Sequence, residues 1–247
     1  MVAERVRLDQ ALVGQGLASS RQRAQVLVRA GLVRMSGQAA DRPDQLVDPE
    51  VALELRGSTT AAGYVSRGGE KLAAALDTFA VAISGRTGLD VGASTGGFTD
   101  VLLRRGAASV IALDVGYGQL AWTLRQDPRV TVLERVNIRY LDHLPAVADL
   151  AVIDVSFISL RLVLPPVHRL LAVPADVVAL VKPQFEVGKG AVGKGGVVRS
   201  ADQHLAVLRS LGEFAAGVGY EVLGETASPI LGAKGNREFF LHLRSHA

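Results

Sequence analysis

The stretch LDVGASTGGFTDVLL (residues 89–103) runs from an apolar segment through a glycine-rich turn into a helical pattern. Three chemistries use such a turn. Gly92-Ala93-Ser94-Thr95-Gly96 has the spacing of a serine nucleophile elbow, and Asp154 and then His204 or His242 follow in hydrolase order. A hydrolase elbow normally follows several strands, however, whereas this turn ends the first strand of its sheet, and His242 lies inside the apolar run FFLHL. A dinucleotide site wants Gly-x-Gly-x-x-Gly, and Gly92, Ser94 and Gly97 miss it at the second glycine. The third chemistry is binding of S-adenosylmethionine. Glycines let the backbone approach the ligand's amino-acid portion, and an acid ending the next strand accepts hydrogen bonds from ribose hydroxyls. Asp114, closing IALDV 18 residues after Gly96, supplies that acid, near the ~20 expected of a ribose-reading carboxylate. S-adenosylmethionine is the better fit.

The candidate cofactor residues are therefore Asp90, Gly92, Ala93, Ser94, Thr95, Gly96, Gly97 and Phe98 on the turn, with Asp114 and Val115 at the ribose. Asn137, after the run VTVLE, is placed near the adenine, with Glu134 as its rival. Asp154 closes LAVIDV and Lys182 closes VVALVKP, where Pro183 stops the strand. A charge ending a buried run requires a partner or a ligand, and these two also satisfy each other in a purely structural pair.

The pattern of elements divides the chain into a first unit over 1–59, a small polar linker over 60–66 and a second unit over 67–247. In the first, Leu8, Leu12 and Val13 share a helical face, and Ser19 or Ser20 caps a second helix with Ala24, Leu27 and Val28 turned inward. Short strand-like runs follow at 32–35 and 51–55. In the second, non-alternating Val, Ile and Leu runs exchange with helical segments such as FTDVLLRRG, QLAWTLRQD and SADQHLAVLRSLGEFAAGVG. That predicts an α/β fold with a doubly wound, mostly parallel, seven-stranded Rossmann-like sheet, whose ligand site lies at the carboxyl ends of the strands. The tail, YEVLGETASPI to NREFFLHLR, predicts an antiparallel edge hairpin.

RLDQALVGQGLASSRQRAQVLVRAGLV (residues 7–33) resembles an S4-type RNA-binding domain. The resemblance implies an α+β module that lays the start of its second helix on structured RNA. Residues 1–34 hold six arginines against Glu4 and Asp9. Arg5, Arg7, Ser20, Arg21 and Arg23 are accordingly the RNA candidates there, because arginine pairs bidentately with phosphate. The family's Val-Asn-Gly turn is Met35-Ser36-Gly37 here.

In the second unit, Lys71, Asp154, Lys182 and Glu238 resemble the Lys-Asp-Lys-Glu tetrad of RrmJ/FtsJ-type ribose 2′-O-methyltransferases. Together with YVSRGGEKL, DVGYGQLAWTLRQDPRV, DVSFISL, LVKPQFEVGKG and GNREFF, the chain is similar to the TlyA (hemolysin A-like) family through nearly all its length. That implies a class I methyltransferase acting on the 2′-hydroxyl of cytidine in small- or large-subunit ribosomal RNA, with ribosomal RNA or subunits as partners. It adds Arg67 to the RNA set. Such chemistry is mostly positioning and electrostatics, since the sulfonium donor is already activated. Lys182 is expected nearest the 2′-hydroxyl. Burial and Lys71 disfavour its charge, Asp154 and Glu238 favour it, and its role as neutral base or as cation stays open. One departure is Ala61-Ala62-Gly63, where members that couple RNA and cofactor binding carry an arginine, so that coupling is not carried over. Rival readings are a catalytically inactive assembly factor and the membrane-lytic activity in the family's historical name.

FEVGKGAVGKGGVV (185–198) mimics a P-loop from Gly188 but has Gly195 where Ser or Thr should stand. Its strand has already ended at Lys182, and the next helix awaits a cap near Ser200. The expectation is a mobile lid that orders on RNA, with Lys189 and Lys194 on phosphates, against a plain solvated loop. Net charge is +3, cysteine is absent, and the five histidines are scattered. Disulfides and thiolate chemistry are excluded, and no metal site is expected. No apolar run reaches the ~18 residues of a membrane helix, so a cytoplasmic protein without membrane contact is expected. A monomer is the default, with oligomeric state left open.

Overall fold

A computed structural model describes residues 5–246 except 16, 19, 30, 56–62, 189–191 and 194. Of the expected linker over 60–66, residues 60–62, and with them Ala61 and Ala62, lie outside the described residues. The first unit contains β1 (Val6–Arg7), α1 (Leu8–Gly14), α2 (Arg21–Arg29), β2 (Val33–Met35), β3 (Gln38–Ala40), β4 (Leu46–Val47) and β5 (Leu53–Leu55). Leu8, Leu12, Ala24, Leu27, Val28, Val33 and Leu53 form its own core, while Val13 is half-buried. Ser20 Oγ accepts from Arg23 N at 3.2 Å, which settles the cap of α2. β2 pairs antiparallel with β3 and β5. Met35 faces Gln38 across a two-residue turn with Ser36 at φ 49° and Gly37 at φ 81°. Both turn residues are left-handed, the geometry that matches strand twist in a tight hairpin. β1, β3 and β4, of two or three residues each, are additional to the two strand-like runs of the sequence.

The second unit is a seven-stranded sheet in the order β11-β12-β10-β9-β6-β7-β8. Its elements are α3 (Gly68–Phe79), β6 (Thr87–Val91), α4 (Gly97–Arg104), β7 (Ser109–Asp114), α5 (Trp122–Arg125), β8 (Val130–Glu134), β9 (Ala148–Ile153), α6 (Leu164–Leu170), β10 (Leu171–Val181), α7 (Pro183–Glu186), α8 (Ala201–Gly217), β11 (Tyr220–Ala227) and β12 (Phe239–Ser245). The strands read as continuous apolar runs because both faces are covered. Leu89, Ile111, Ile153 and Val177 pack with α6 and α8, while Val110, Leu150, Val152 and Leu180 pack with α3 and α4. Each fully buried Leu or Ile contributes roughly 1.5–3 kcal/mol.

The chain runs outward from β6 through β7 to β8, then returns to place β9 on the other side of β6. That reversal opens a crevice at the carboxyl ends of β6 and β9, where ligands of such sheets bind. Gly92 and Asp154 stand there, one residue past each strand.

The tail forms the expected antiparallel hairpin at the edge of the sheet. β12 inserts between β10 and β11 and runs antiparallel to both, so β11 alone forms the edge. At the opposite end of the sheet, Asp176 receives His242 Nε2 at 2.9 Å, Arg86 at 2.7 Å and Arg244 at 3.0 Å. The His242 bond and the two guanidinium groups hold this carboxyl well below the usual carboxylate range against its burial. This cluster fastens β12 to β10 and to the start of β6.

Candidate active site

The glycine turn is built for backbone proximity. Gly92 lies at φ 88°, and a Cβ there would stand 2.3 Å from the carbonyl oxygen of Asp154. Gly92 N and Ala93 N donate to Leu113 O at 2.8 and 3.1 Å, and Asp154 N donates to Val91 O at 2.9 Å. The turn thus knits the ends of β6, β7 and β9 together. Beside it lies a cavity of about 460 Å³, lined by Gly92, Ser94, Asp114, Val115, Asn137, Asp154 and a largely apolar wall that includes Ile138, Val155 and Phe157. Asp114 Oδ2 accepts from Ser94 N at 2.8 Å and Oδ1 from Gly116 N at 2.6 Å. The carboxylate is thereby fixed at the cavity wall with acceptor capacity left for a diol. An acid for a ribose, an apolar slot for an aromatic ring and a size in the range of small-molecule pockets fit S-adenosylmethionine.

Seven expected cofactor contacts do not line this cavity: Ala93, Thr95, Gly97 and Phe98 line a second cavity beside it, and Glu134, Gly96 and Asp90 serve the surrounding framework. Glu134 accepts from Gly118 N at 2.7 Å and pairs with Arg125, so it braces the loop after Asp114 while Asn137 lines the cavity. Gly96 is buried and faces Leu120 and Leu124. Asp90 is fully buried beneath the turn, with Oδ2 accepting from Thr99 Oγ1 at 2.6 Å and Oδ1 unpartnered among the described residues. Burial, aided by the charge of Asp154, pushes its carboxyl up to about 7. Against an unfolded value of ~3.9, the native state keeps a proton that the unfolded chain has lost. This group's contribution therefore falls as pH rises from about 4 to 7 and then levels off. Asp90→Asn should remove that fall, gaining roughly 2–3 kcal/mol relative to wild type between pH 5 and 8. Thermal melts of both proteins across that range check it, and parallel curves would refute it.

The four tetrad candidates form two ion pairs across the crevice. Lys71 Nζ lies 2.6 Å from Glu238 Oε2, and Lys182 Nζ lies 2.5 Å from Asp154 Oδ1. Lys182 caps α7, where Pro183 opens a one-turn helix that the sequence reading missed. Lys71 sits in the first turn of α3, which starts at Gly68. The second cavity, of about 370 Å³, shares Gly92, Ser94 and Asp154 with the first. One member of each pair, Lys71 and Asp154, lines this second cavity.

Ser156, which no pattern in the sequence marks, joins the site. Lys182 Nζ donates to Ser156 Oγ at 2.8 Å. The ammonium spends one N–H on Ser156 and lies in ion-pair contact with Asp154, so donor capacity remains for an incoming oxygen. Ser156→Ala should lower kcat roughly tenfold, the worth of about one hydrogen bond, with little change in KM, and Ser156→Thr should restore it. An alanine variant at full kcat would show that Ser156 does not orient Lys182.

Loops from distant parts of the chain hold this arrangement. Glu186, in α7, accepts from Ser159 Oγ at 2.6 Å and Leu160 N at 2.8 Å, hooking the segment after Lys182 to the segment after Asp154. Asn236 accepts from Val198 N and donates to Gly196 O, both at 3.0 Å, so the far end of the Gly-Lys loop is tied beside Glu238. Lys189 and Lys194 lie outside the described residues. His204 bonds Val198 O and His242 bonds Asp176, so neither reaches Ser94, which overturns the hydrolase reading.

On the first unit, Arg5, Arg21 and Arg23 are exposed. Arg7 is partly occupied: its Nε and Nη2 donate to the two oxygens of buried Asp9 at 3.1 and 3.0 Å, and Arg21 approaches the same carboxylate at 3.6 Å. The bond from Arg7 draws Asp9 down to about 2. Ser20 spends its Oγ on the helix cap. These two are thus better placed to set the arginine face than to touch a ligand first.

The FtsJ-like methyltransferase family pattern matches residues 64–245, and the S4 domain pattern matches residues 6–53. The chain is 51% identical over 246 residues to the 16S/23S rRNA (cytidine-2′-O)-methyltransferase TlyA of Mycobacterium tuberculosis, covering 99% of this chain and 91% of that one. It is 38% identical to Hemolysin A of Brachyspira hyodysenteriae, covering 96% and 99%. A solved structure from Streptococcus thermophilus, described as a hemolysin candidate, superposes with a TM-score of 0.74 at 44% identity, covering 98% of this chain and 89% of that one.

Proposed function

The chain belongs to the FtsJ-like methyltransferase family and carries an S4 domain, and on that premise we propose that it transfers a methyl group from S-adenosylmethionine to the ribose 2′-oxygen of cytidine in ribosomal RNA. The observation that carries this reading is the cavity beside the glycine turn that both Lys71, paired with Glu238, and Asp154, paired with Lys182, line. A relative half identical over nearly the full length of both chains bears a name specifying that reaction.

When bound, the cofactor supplies a sulfonium methyl that needs no further activation. The chain's part is to seat the ribose and manage the proton of its hydroxyl. Asp114 holds a diol, the apolar wall seats an aromatic ring, and the backbone at Gly92 leaves room at the reacting end. Lys182, steadied by Asp154 and Ser156, presents a nitrogen to the 2′-oxygen, and either takes its proton or offsets the developing charge. Glu238 keeps Lys71 at the adjoining wall.

The S4 domain docks structured ribosomal RNA through its arginine face, and the place of action is the cytoplasm, where ribosomal subunits are found. Among the described residues no helix is long and apolar enough to cross a membrane. The test is methyl transfer from labelled S-adenosylmethionine to purified ribosomal RNA and subunits lacking the modification, followed by mapping of 2′-O-methyl positions. Labelled cytidine at a defined site supports the reading, and label absent from every ribosomal substrate overturns it.

A further inference from the structure

The second cavity carries more positive charge than the tetrad explains. Its lining includes Arg67, Lys71 and Lys234, with Asp154 as the acid on the same wall. Lys71 is offset by Glu238, and Asp154 by Lys182. Arg67 donates to the carbonyl of Leu231 at 3.2 Å, and neither it nor Lys234 has a carboxylate partner among the described residues. Two uncompensated cations therefore border an open cavity next to the reacting centre.

Both are held in place. Arg67 is the N-cap residue of α3, and its bond to Leu231 spans from that helix to the loop before β12. Gly232 is pressed against the tetrad: a Cβ there would stand 1.9 Å from Glu238 Oε1. Gly232 N donates to Asn236 O at 2.9 Å, closing the loop around Lys234, whose φ is 57°. The same wall receives the first turns of α3 and α4, and neither helix has a side-chain cap. Their leading N–H groups add to the positive potential.

A 2′-hydroxyl inside an RNA strand never comes alone. The neighbouring 3′-oxygen carries a phosphodiester, so a site that presents a lysine to the 2′-oxygen must also receive an anion one ring position away. We propose that Arg67 and Lys234 seat the backbone phosphate adjoining the target ribose, which makes this cavity the strand's entry into the active site. The proposal rests on the methyl-transfer reading above. The carboxylate of the cofactor's amino-acid portion is the other anion that this chemistry would take, and the test separates the two.

Lys234→Ala is the cleaner variant, since that side chain is exposed, and Arg67→Ala is the second. Each should raise the KM for unmethylated ribosomal RNA about tenfold, as loss of a charge-assisted bond does. Each should also make the logarithm of RNA affinity fall less steeply with the logarithm of salt, by about 0.7–0.9 per lost phosphate contact. Lys234→Arg should keep both values, and cofactor affinity by calorimetry should stay within about twofold. An unchanged RNA KM and salt slope in both variants overturns the proposal. So does a tenfold loss of cofactor affinity with the RNA slope intact, which would assign the cradle to the cofactor's carboxylate. A wild-type protein that transfers no methyl group would instead sink the methyl-transfer reading, and the salt slope of RNA binding would still judge the cradle.

Discussion

Replacing Lys182 by alanine is expected to lower kcat by about a thousandfold or more, equivalent to roughly 4 kcal/mol, while the cofactor still binds. The side chain is only 11% exposed and lies between Asp154 and Ser156, so no solvent-held cation takes its place. Removing it also leaves Asp154 without its partner at the cavity wall. Part of the loss is therefore structural, because an unpaired, half-buried carboxylate destabilises the loop it stands on. Two controls separate the effects. Calorimetry with S-adenosylmethionine reports whether the turn at Gly92 still accepts the cofactor. Lys182→Arg keeps the charge but replaces a compact ammonium by a planar fork, and so should recover folding without recovering most of the rate. A Lys182→Ala protein that methylates ribosomal RNA within a few fold of wild type would remove Lys182 from the mechanism.

The second large effect is expected at Gly92. A methyl group there would stand 2.3 Å from the carbonyl oxygen of Asp154 and 2.9 Å from its carbonyl carbon, in a backbone conformation of φ 88°. The strained φ costs on the order of 1–3 kcal/mol, and the clash must be relieved by moving the end of β9. That shift displaces Asp154 and with it Lys182. Gly92→Ala should thus weaken cofactor binding by about a hundredfold, equivalent to about 2.7 kcal/mol, and lower thermal stability as well. Gly85 provides the comparison. It lies at φ 78° with nothing within 4 Å of a Cβ, so Gly85→Ala should cost only the conformational part and leave cofactor binding alone. Equal behaviour of the two variants would mean that contact with Asp154 is irrelevant.

Much of this architecture was legible in the sequence, for reasons that can be stated residue by residue. Parallel strands buried on both faces read as unbroken Val, Ile and Leu runs, so β6, β7, β9 and the end of β10 were apparent. The charges that close such runs, Asp114, Asp154 and Lys182, stand out because a buried strand has no other use for them. The order of the sheet was less accessible. Nothing local in FFLHLRS says that it will slip between β10 and β11, because that choice depends on Asp176, some 60 residues earlier. The helix expected over QLAWTLRQD shrinks to Trp122–Arg125, because Asp114 and Glu134 bond Gly116 and Gly118 and Ala121 N donates to Thr95 O. Ser156, Asn236 and Lys234 went unnoticed for a similar reason. Their roles arise only when loops from separate crossovers meet, and a serine or an asparagine in a loop carries no periodicity to mark it.

The insertion of β12 bears on how the protein comes into being on the ribosome. When residues 1–238 have been made, the tetrad has all four of its side chains but not the strand that carries Glu238 into place. β10 then presents an open apolar edge, and β11 has nothing to pair with. Only when residues 239–245 emerge can the sheet zip shut and bring Glu238 against Lys71. Activity is therefore withheld from any nascent chain that stops short of β12, and a loss of seven residues there should silence the enzyme as completely as the change proposed at Lys182.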